Sequence, residues 1–186
     1  NGGPGSDTFT ISSASADATI AAGDDDTDIL QLAHTSAENT WTINAGQNGL
    51  VATVSGGEIE FTSIETILGG NTATAEDTFN VNASYVGSIE GRGGNDTFNL
   101  NATVTGNLLG GNEDDSFNLS HAVTGSVQGN SGADVFYIGA TVRDGISGGT
   151  GTDIFNLTTT NLSVGLAGGD NSDTFNYSVS GVDAVW

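Results

Sequence analysis

An Asp followed two positions later by a large apolar residue recurs along this chain at a near-constant interval. That interval limits what the chain can fold into. The Asp stands at Asp7, Asp28, Asp77, Asp96, Asp115, Asp134, Asp153 and Asp173. Its apolar companion is Phe9, Leu30, Phe79, Phe98, Phe117, Phe136, Phe155 or Phe175. Successive Asp residues lie 21, 49, 19, 19, 19, 19 and 20 residues apart. A single packed core has no use for such spacing. A stack of like coils does, because each coil must set the same side chain over its neighbour's.

Within a period the pattern predicts two short strands. The first starts at the Asp, as in Thr97-Phe98-Asn99-Leu100, and alternates apolar with polar residues as a half-buried strand does. The second lies about nine residues on, as in Val104-Thr105-Gly106-Asn107-Leu108, and runs into the next glycine turn. No stretch combines a 3.6-residue apolar period with helix caps. The expected fold is all-β: a right-handed parallel β-solenoid with about 19–20 residues and two strands per coil. Residues 1–186 read as one solenoid segment, regular over 1–32 and again over 77–186. Residues 33–76 read as irregular coils or an insertion, in which Trp41 and Phe61 fill a wider core. Nine or ten coils would give a rod on the order of 45 Å long.

Composition narrows the functional classes. Two Lys plus Arg against 23 Asp plus Glu give a formal charge of −21. A nucleic-acid binder needs a basic stripe, and docking on anionic lipid needs basic residues; neither is present. No apolar run approaches the roughly 18–20 residues of a membrane span. Without Cys there is neither a disulfide nor a thiolate metal site. The chain has no Met and begins inside a repeat, at Asn1-Gly2-Gly3, so it reads as a segment of a longer polypeptide.

The glycine-rich hexapeptide before each strand carries a resemblance. Gly2-Gly3-Pro4-Gly5-Ser6-Asp7-Thr8-Phe9 and Gly148-Gly149-Thr150-Gly151-Thr152-Asp153-Ile154-Phe155 follow Gly-Gly-x-Gly-x-Asp-x-hydrophobic throughout. Gly91 to Asp96, Gly110 to Asp115, Gly129 to Asp134 and Gly168 to Asp173 follow it in part. This resembles the calcium-binding nonapeptide of repeats-in-toxin (RTX) proteins, which form a parallel β-roll. The resemblance implies Ca2+ held between like turns of adjacent coils by Asp7, Asp28, Asp77, Asp96, Asp115, Asp134, Asp153 and Asp173 with turn carbonyls. Calcium takes six to eight hard oxygen ligands, which such turns supply. Here the motif comes about every 19 residues and not every nine, so one calcium row is expected at most. The other reading is an Asp ladder that caps backbone N–H groups without metal. Phe61 to Gly70, set before an Asp-Thr-Phe unit, is similar to the repeat regions of large bacterial surface proteins and adhesins.

Other chemistry is sparse. His34 and His121 have no metal spacing, and no nucleophile elbow, phosphate loop or zinc motif is present. Asn80, Asn99, Asn118, Asn156 and Asn176 follow the Phe and should form an outward amide ladder. The expected function is a non-catalytic extracellular or cell-surface rod: a stalk, fibre body or matrix element stiffened by Ca2+. Its partners would be neighbouring solenoid segments or copies of itself end to end, with surface polysaccharide as a further candidate. Joining Trp186 to Asn1 would make the Asp173-to-Asp7 step 20 residues, one period. The rival is a carbohydrate-active or carbohydrate-binding solenoid, marked by a groove with Trp41, Tyr85 or Tyr137 beside convergent carboxylates.

Overall fold

The structure is a computed structural model that describes residues 1–12, 18–23, 26–33, 38–45, 48–54, 57–159 and 165–178. His34, part of the glycine turns expected at 46–49 and 56–57, the start of a second strand expected over 162–166 and the stretch 179–186 lie outside the described residues.

The chain is an all-β parallel β-solenoid of about seven turns built on two main sheets. Among the described residues there is no helix. One sheet has eight strands, all parallel: Thr8–Ile11, Ile29–Leu32, Thr66–Leu68, Ser88–Gly93, Leu108–Asn112, Val127–Ser131, Ile146–Thr150 and Leu166–Asp170. Its inward column is mainly aliphatic, with Leu30, Ile67, Ile89, Leu108, Val127 and Ile146 buried. The other sheet has ten strands and carries the aromatic column. A short third side, Tyr85–Val86 paired with Val104–Thr105, links the two and continues through bridges at Val123 and Val142.

In the regular coils the pairing is in register, residue type over residue type. Thr97 lies beside Thr78 and Ser116, Phe98 beside Phe79 and Phe117, Asn99 beside Asn80 and Asn118. Seven rings therefore stack from Trp41 through Phe79, Phe98, Phe117, Phe136 and Phe155 to Phe175. Centroids are 4.6–5.7 Å apart and planes within 20°. Burying each of the six rings from Trp41 to Phe155 contributes about 1.5–3 kcal/mol, and stacking adds roughly 0.5–1.5 kcal/mol per pair. A lone coil would leave every ring exposed on both faces, so the stack is the cooperative unit.

The long interval between Asp28 and Asp77 holds an antiparallel meander, Asn39–Ala45, Asn48–Val54 and Gly57–Thr62. It lies within the aromatic sheet, between Ala18–Ala21 and Asp77–Val81. Three strands spent in one layer leave about seven turns instead of nine or ten, and the stack is on the order of 35 Å long. Trp41 and Phe61 are both buried in it.

The interval of 49 residues is two and a half periods, and the half period has a consequence. The strand after Asp7 or Asp28 lies in the aliphatic sheet, whereas the strand after each later Asp lies in the aromatic sheet. The Asp motif thus changes from one edge of the solenoid to the other. The 20-residue step from Asp173 to Asp7 across a junction of copies does not describe a continuous coil, because those two Asp stand on opposite edges.

Candidate functional site: two aspartate ladders

Along the main edge each Asp carboxylate from Asp96 onward accepts the backbone N–H of the Asp one coil earlier. Asp77 N–H donates to Asp96 Oδ1 at 2.7 Å, Asp96 N–H to Asp115 at 2.8 Å and Asp115 N–H to Asp134 at 2.8 Å. Asp134 N–H donates to Asp153 at 2.9 Å and Asp153 N–H to Asp173 at 3.0 Å. Asp7 and Asp28 form a second, shorter ladder on the opposite edge. Asp7 N–H donates to Asp28 Oδ1 at 2.7 Å, and Asp28 N–H to Glu65 Oε2 at 2.9 Å. The eight Asp predicted from spacing therefore fall into two groups, six and two. Two members were missed. Asn39 heads the main ladder, its side-chain amide donating to Asp77 Oδ1 at 2.6 Å, and Glu65 closes the short one. The signal was present, since Asn39-Thr40-Trp41 and Glu65-Thr66-Ile67 are Asn and Glu versions of Asp-Thr-Phe.

The ladder explains the glycine code. In the main-edge copies from Gly91 to Gly168 the first glycine of the hexapeptide sits in the aliphatic sheet, not in a turn, with its Cα against the carboxylate across the coil. A Cβ on Gly110 would lie 2.0 Å from Asp115 Oδ2 and 2.8 Å from Gly129 O. Gly91, Gly129, Gly148 and Gly168 face Asp96, Asp134, Asp153 and Asp173 in the same way. The second and fourth positions need positive φ. They hold Gly149 at 117° and Gly151 at 138° in one copy, Arg92 at 81° and Gly94 at 108° in another.

Asp28, Asp77, Asp96, Asp115, Asp134 and Asp153 are at most 2% exposed. The Oδ2 atoms of Asp7, Asp96, Asp115, Asp134 and Asp153 are enclosed and have no hydrogen-bond donor. A carboxylate oxygen so placed needs a positive partner, a proton or a cation. Burial, with neighbouring carboxylates adding to it, pushes Asp96 up to about 9, Asp115 to about 8 and Asp134 to about 7, and raises Asp153. Burial likewise takes Asp77 to about 6. The space beside Oδ2 is filled by a glycine Cα, which admits a proton. It does not fit a calcium ion, whose six to eight oxygens stand at roughly 2.3–2.6 Å from the metal. Oδ1 is already engaged with an amide. Among the described residues no three His, Asp or Glu side chains gather in a metal-holding group. This arrangement matches the amide-capping ladder better than the calcium row implied by the RTX resemblance.

The acidity is also less superficial than composition implies, because nine of the 23 acidic residues are ladder members, eight Asp and Glu65. Trp41 and Tyr85 are buried, with Tyr85 Oη donating to Ile64 O at 2.8 Å, so neither lines a groove. Tyr137 is 48% exposed. The chain matches no protein-family model, no curated protein and no solved structure.

Proposed function

We propose that this chain is a non-catalytic structural rod, a stalk, fibre body or matrix element of a secreted or cell-surface protein. The observation that carries this reading is the aromatic column, which runs in register from Trp41 to Phe175 without a break. Flanking it, an Asp ladder ties each coil to the next through the backbone. Such a stack resists bending because every coil shares both hydrogen bonds and ring contacts with its neighbours. The last ring, Phe175, is 48% exposed, and Thr174–Tyr177 pairs on one side only among the described residues. Such an edge suits addition of a further coil, from a neighbouring segment or a second copy.

A carbohydrate-active groove is less well supported, since Trp41, Tyr85 and six of the ladder carboxylates, Asp28 and Asp77 to Asp153, are withdrawn from the surface. Calcium stabilisation is the second reading of the ladder, and it requires Oδ1 to leave its amide. Small-angle scattering over a concentration series tests the rod. A fixed cross-section with an axial length that grows with concentration is expected; a near-spherical particle would overturn the reading. Circular dichroism with calcium and with chelator separates proton from metal. Equal melting in both supports the capping ladder, and a chelator-induced loss of β-signal replaces it with the calcium row.

A further inference from the structure

The outward face of the aromatic sheet is the least expected surface on a chain of charge −21. From Asp77 to 178 it presents three outward positions in each of six coils, and none is Asp, Glu, Lys, Arg or His. The middle column runs Asn80, Asn99, Asn118, Tyr137, Asn156, Asn176. Columns on either side carry Thr, Ser, Asn and a few small or aliphatic residues. Among the described residues charge lies on the edges, the other sheet and the meander.

The middle column is an amide ladder with one interruption. Asn99 Nδ2 donates to Asn80 Oδ1 at 3.0 Å, Asn118 Nδ2 to Asn99 Oδ1 at 2.8 Å and Asn176 Nδ2 to Asn156 Oδ1 at 2.9 Å. Each amide has two N–H groups and two acceptor lone pairs, and the ladder uses one of each. A spare donor and a spare acceptor therefore recur at every coil that carries an Asn, neighbouring coils being about 4.8 Å apart. At Tyr137 the ladder breaks. Asn118 Oδ1 on one side and Asn156 Nδ2 on the other are left without a ladder partner, and between them lies a ring 48% exposed.

We propose that this face binds a neutral polysaccharide lying along the stack axis, with Tyr137 as its aromatic platform and the Asn column as its hydrogen-bonding rail. A sugar ring offers hydroxyls at its rim, which both donate and accept, and a C–H face that packs on an aromatic ring. The break supplies that set: an acceptor, a platform and a donor on three successive coils. Absence of charge favours a neutral polymer over an acidic one, and the polar columns favour a hydroxylated partner over an apolar protein surface. The spacing of coils is on the scale of one sugar ring, so successive rings meet equivalent amides. This proposal is independent of the rod's end-to-end assembly.

The test is retention of the whole 186-residue chain on insoluble cellulose, chitin and starch, in parallel with Tyr137→Ala, Asn118→Asp and Asn156→Asp. Circular dichroism checks that each variant keeps the wild-type β-signal, which exposed positions should allow. Retention of the wild type on at least one polymer is expected, with about tenfold weaker retention for Tyr137→Ala, the loss typical of a truncated aromatic anchor. Folded wild type that is retained by none of the three overturns the proposal. So does a Tyr137→Ala variant that binds like wild type. Loss of concentration-dependent self-association in Tyr137→Ala, without polysaccharide present, would assign the face to a second copy instead.

Discussion

The backbone N–H of Asp96 donates to Oδ1 of Asp115 at 2.8 Å, while Oδ2 of Asp115 lies enclosed against the Cα of Gly110. One side chain thus ties two coils and fixes the residue type across from it. Asp115→Ala removes the acceptor and leaves a buried amide unpaired, which costs about 1–3 kcal/mol. Asp115→Asn keeps an oxygen for the amide and stands in for the protonated acid, so its cost should stay below about 1 kcal/mol. Urea midpoints of both variants check this. A calcium ligand would behave otherwise: Asn and Ala would both weaken the fold, and only in calcium-loaded protein.

Gly110→Ala forces a methyl to within 2.0 Å of Asp115 Oδ2 and 2.8 Å of Gly129 O. Neither neighbour can yield without breaking the ladder or the strand pairing, so a loss of about 3 kcal/mol is expected from overpacking. Gly165→Ala is the control, since nothing lies within 4 Å of its added Cβ, and it should change stability by less than about 0.5 kcal/mol. Equal denaturation midpoints for the two variants would show that Gly110 is not a packing requirement.

How much of this was legible beforehand depends on which signal is followed. The period and the alternation of Phe98 and Leu100 with Thr97 and Asn99 gave the parallel stack, because in-register pairing needs like residues at like intervals. The amide ladder followed from the same register. What the motif itself could not show was the edge on which an Asp stands. Asp28 and Asp77 look alike in sequence, and only counting half periods separates them. Glu65 was missed because it accepts the Asp28 amide with a longer side chain, and Asn39 because its side-chain amide donates to Asp77 where an Asp would accept. Most instructive is the Gly-Gly-x-Gly-x-Asp unit, which resembles a calcium loop yet has a packing reason at each fixed position. Gly110 makes room for a carboxylate, Gly149 and Gly151 supply positive φ, and Asp115 caps an amide.

Arg92 occupies the second position of its hexapeptide at φ 81°. Most copies place glycine there, because a side chain in left-handed geometry costs roughly 1–2 kcal/mol. Arg92→Gly relieves that strain, and part of the gain is offset by the greater freedom of glycine in the unfolded chain. The expected net result is a stabilisation of about 0.5–1 kcal/mol. A lowered urea midpoint would mean that the guanidinium makes a contribution larger than the backbone strain.

The ladder should make the fold more stable in acid than in base. Burial raises the carboxyls of Asp77, Asp134, Asp115 and Asp96 to about 6, 7, 8 and 9, against about 3.9 in an unfolded chain. Over the window between those values the folded state binds more protons than the unfolded state, so unfolding releases protons and stability falls as pH rises. The stabilisation is fully present below about pH 4 and is lost stepwise as pH passes through the folded values. Urea midpoints measured from pH 5 to pH 10 should therefore decline, most steeply at the acid end where all four groups hold excess protons, and level off above about 9. Asp96→Asn and Asp115→Asn, which cannot titrate, should flatten the profile. A midpoint that climbs with pH would mean that these carboxylates are held ionised in the folded chain, and would return the ladder to a cation.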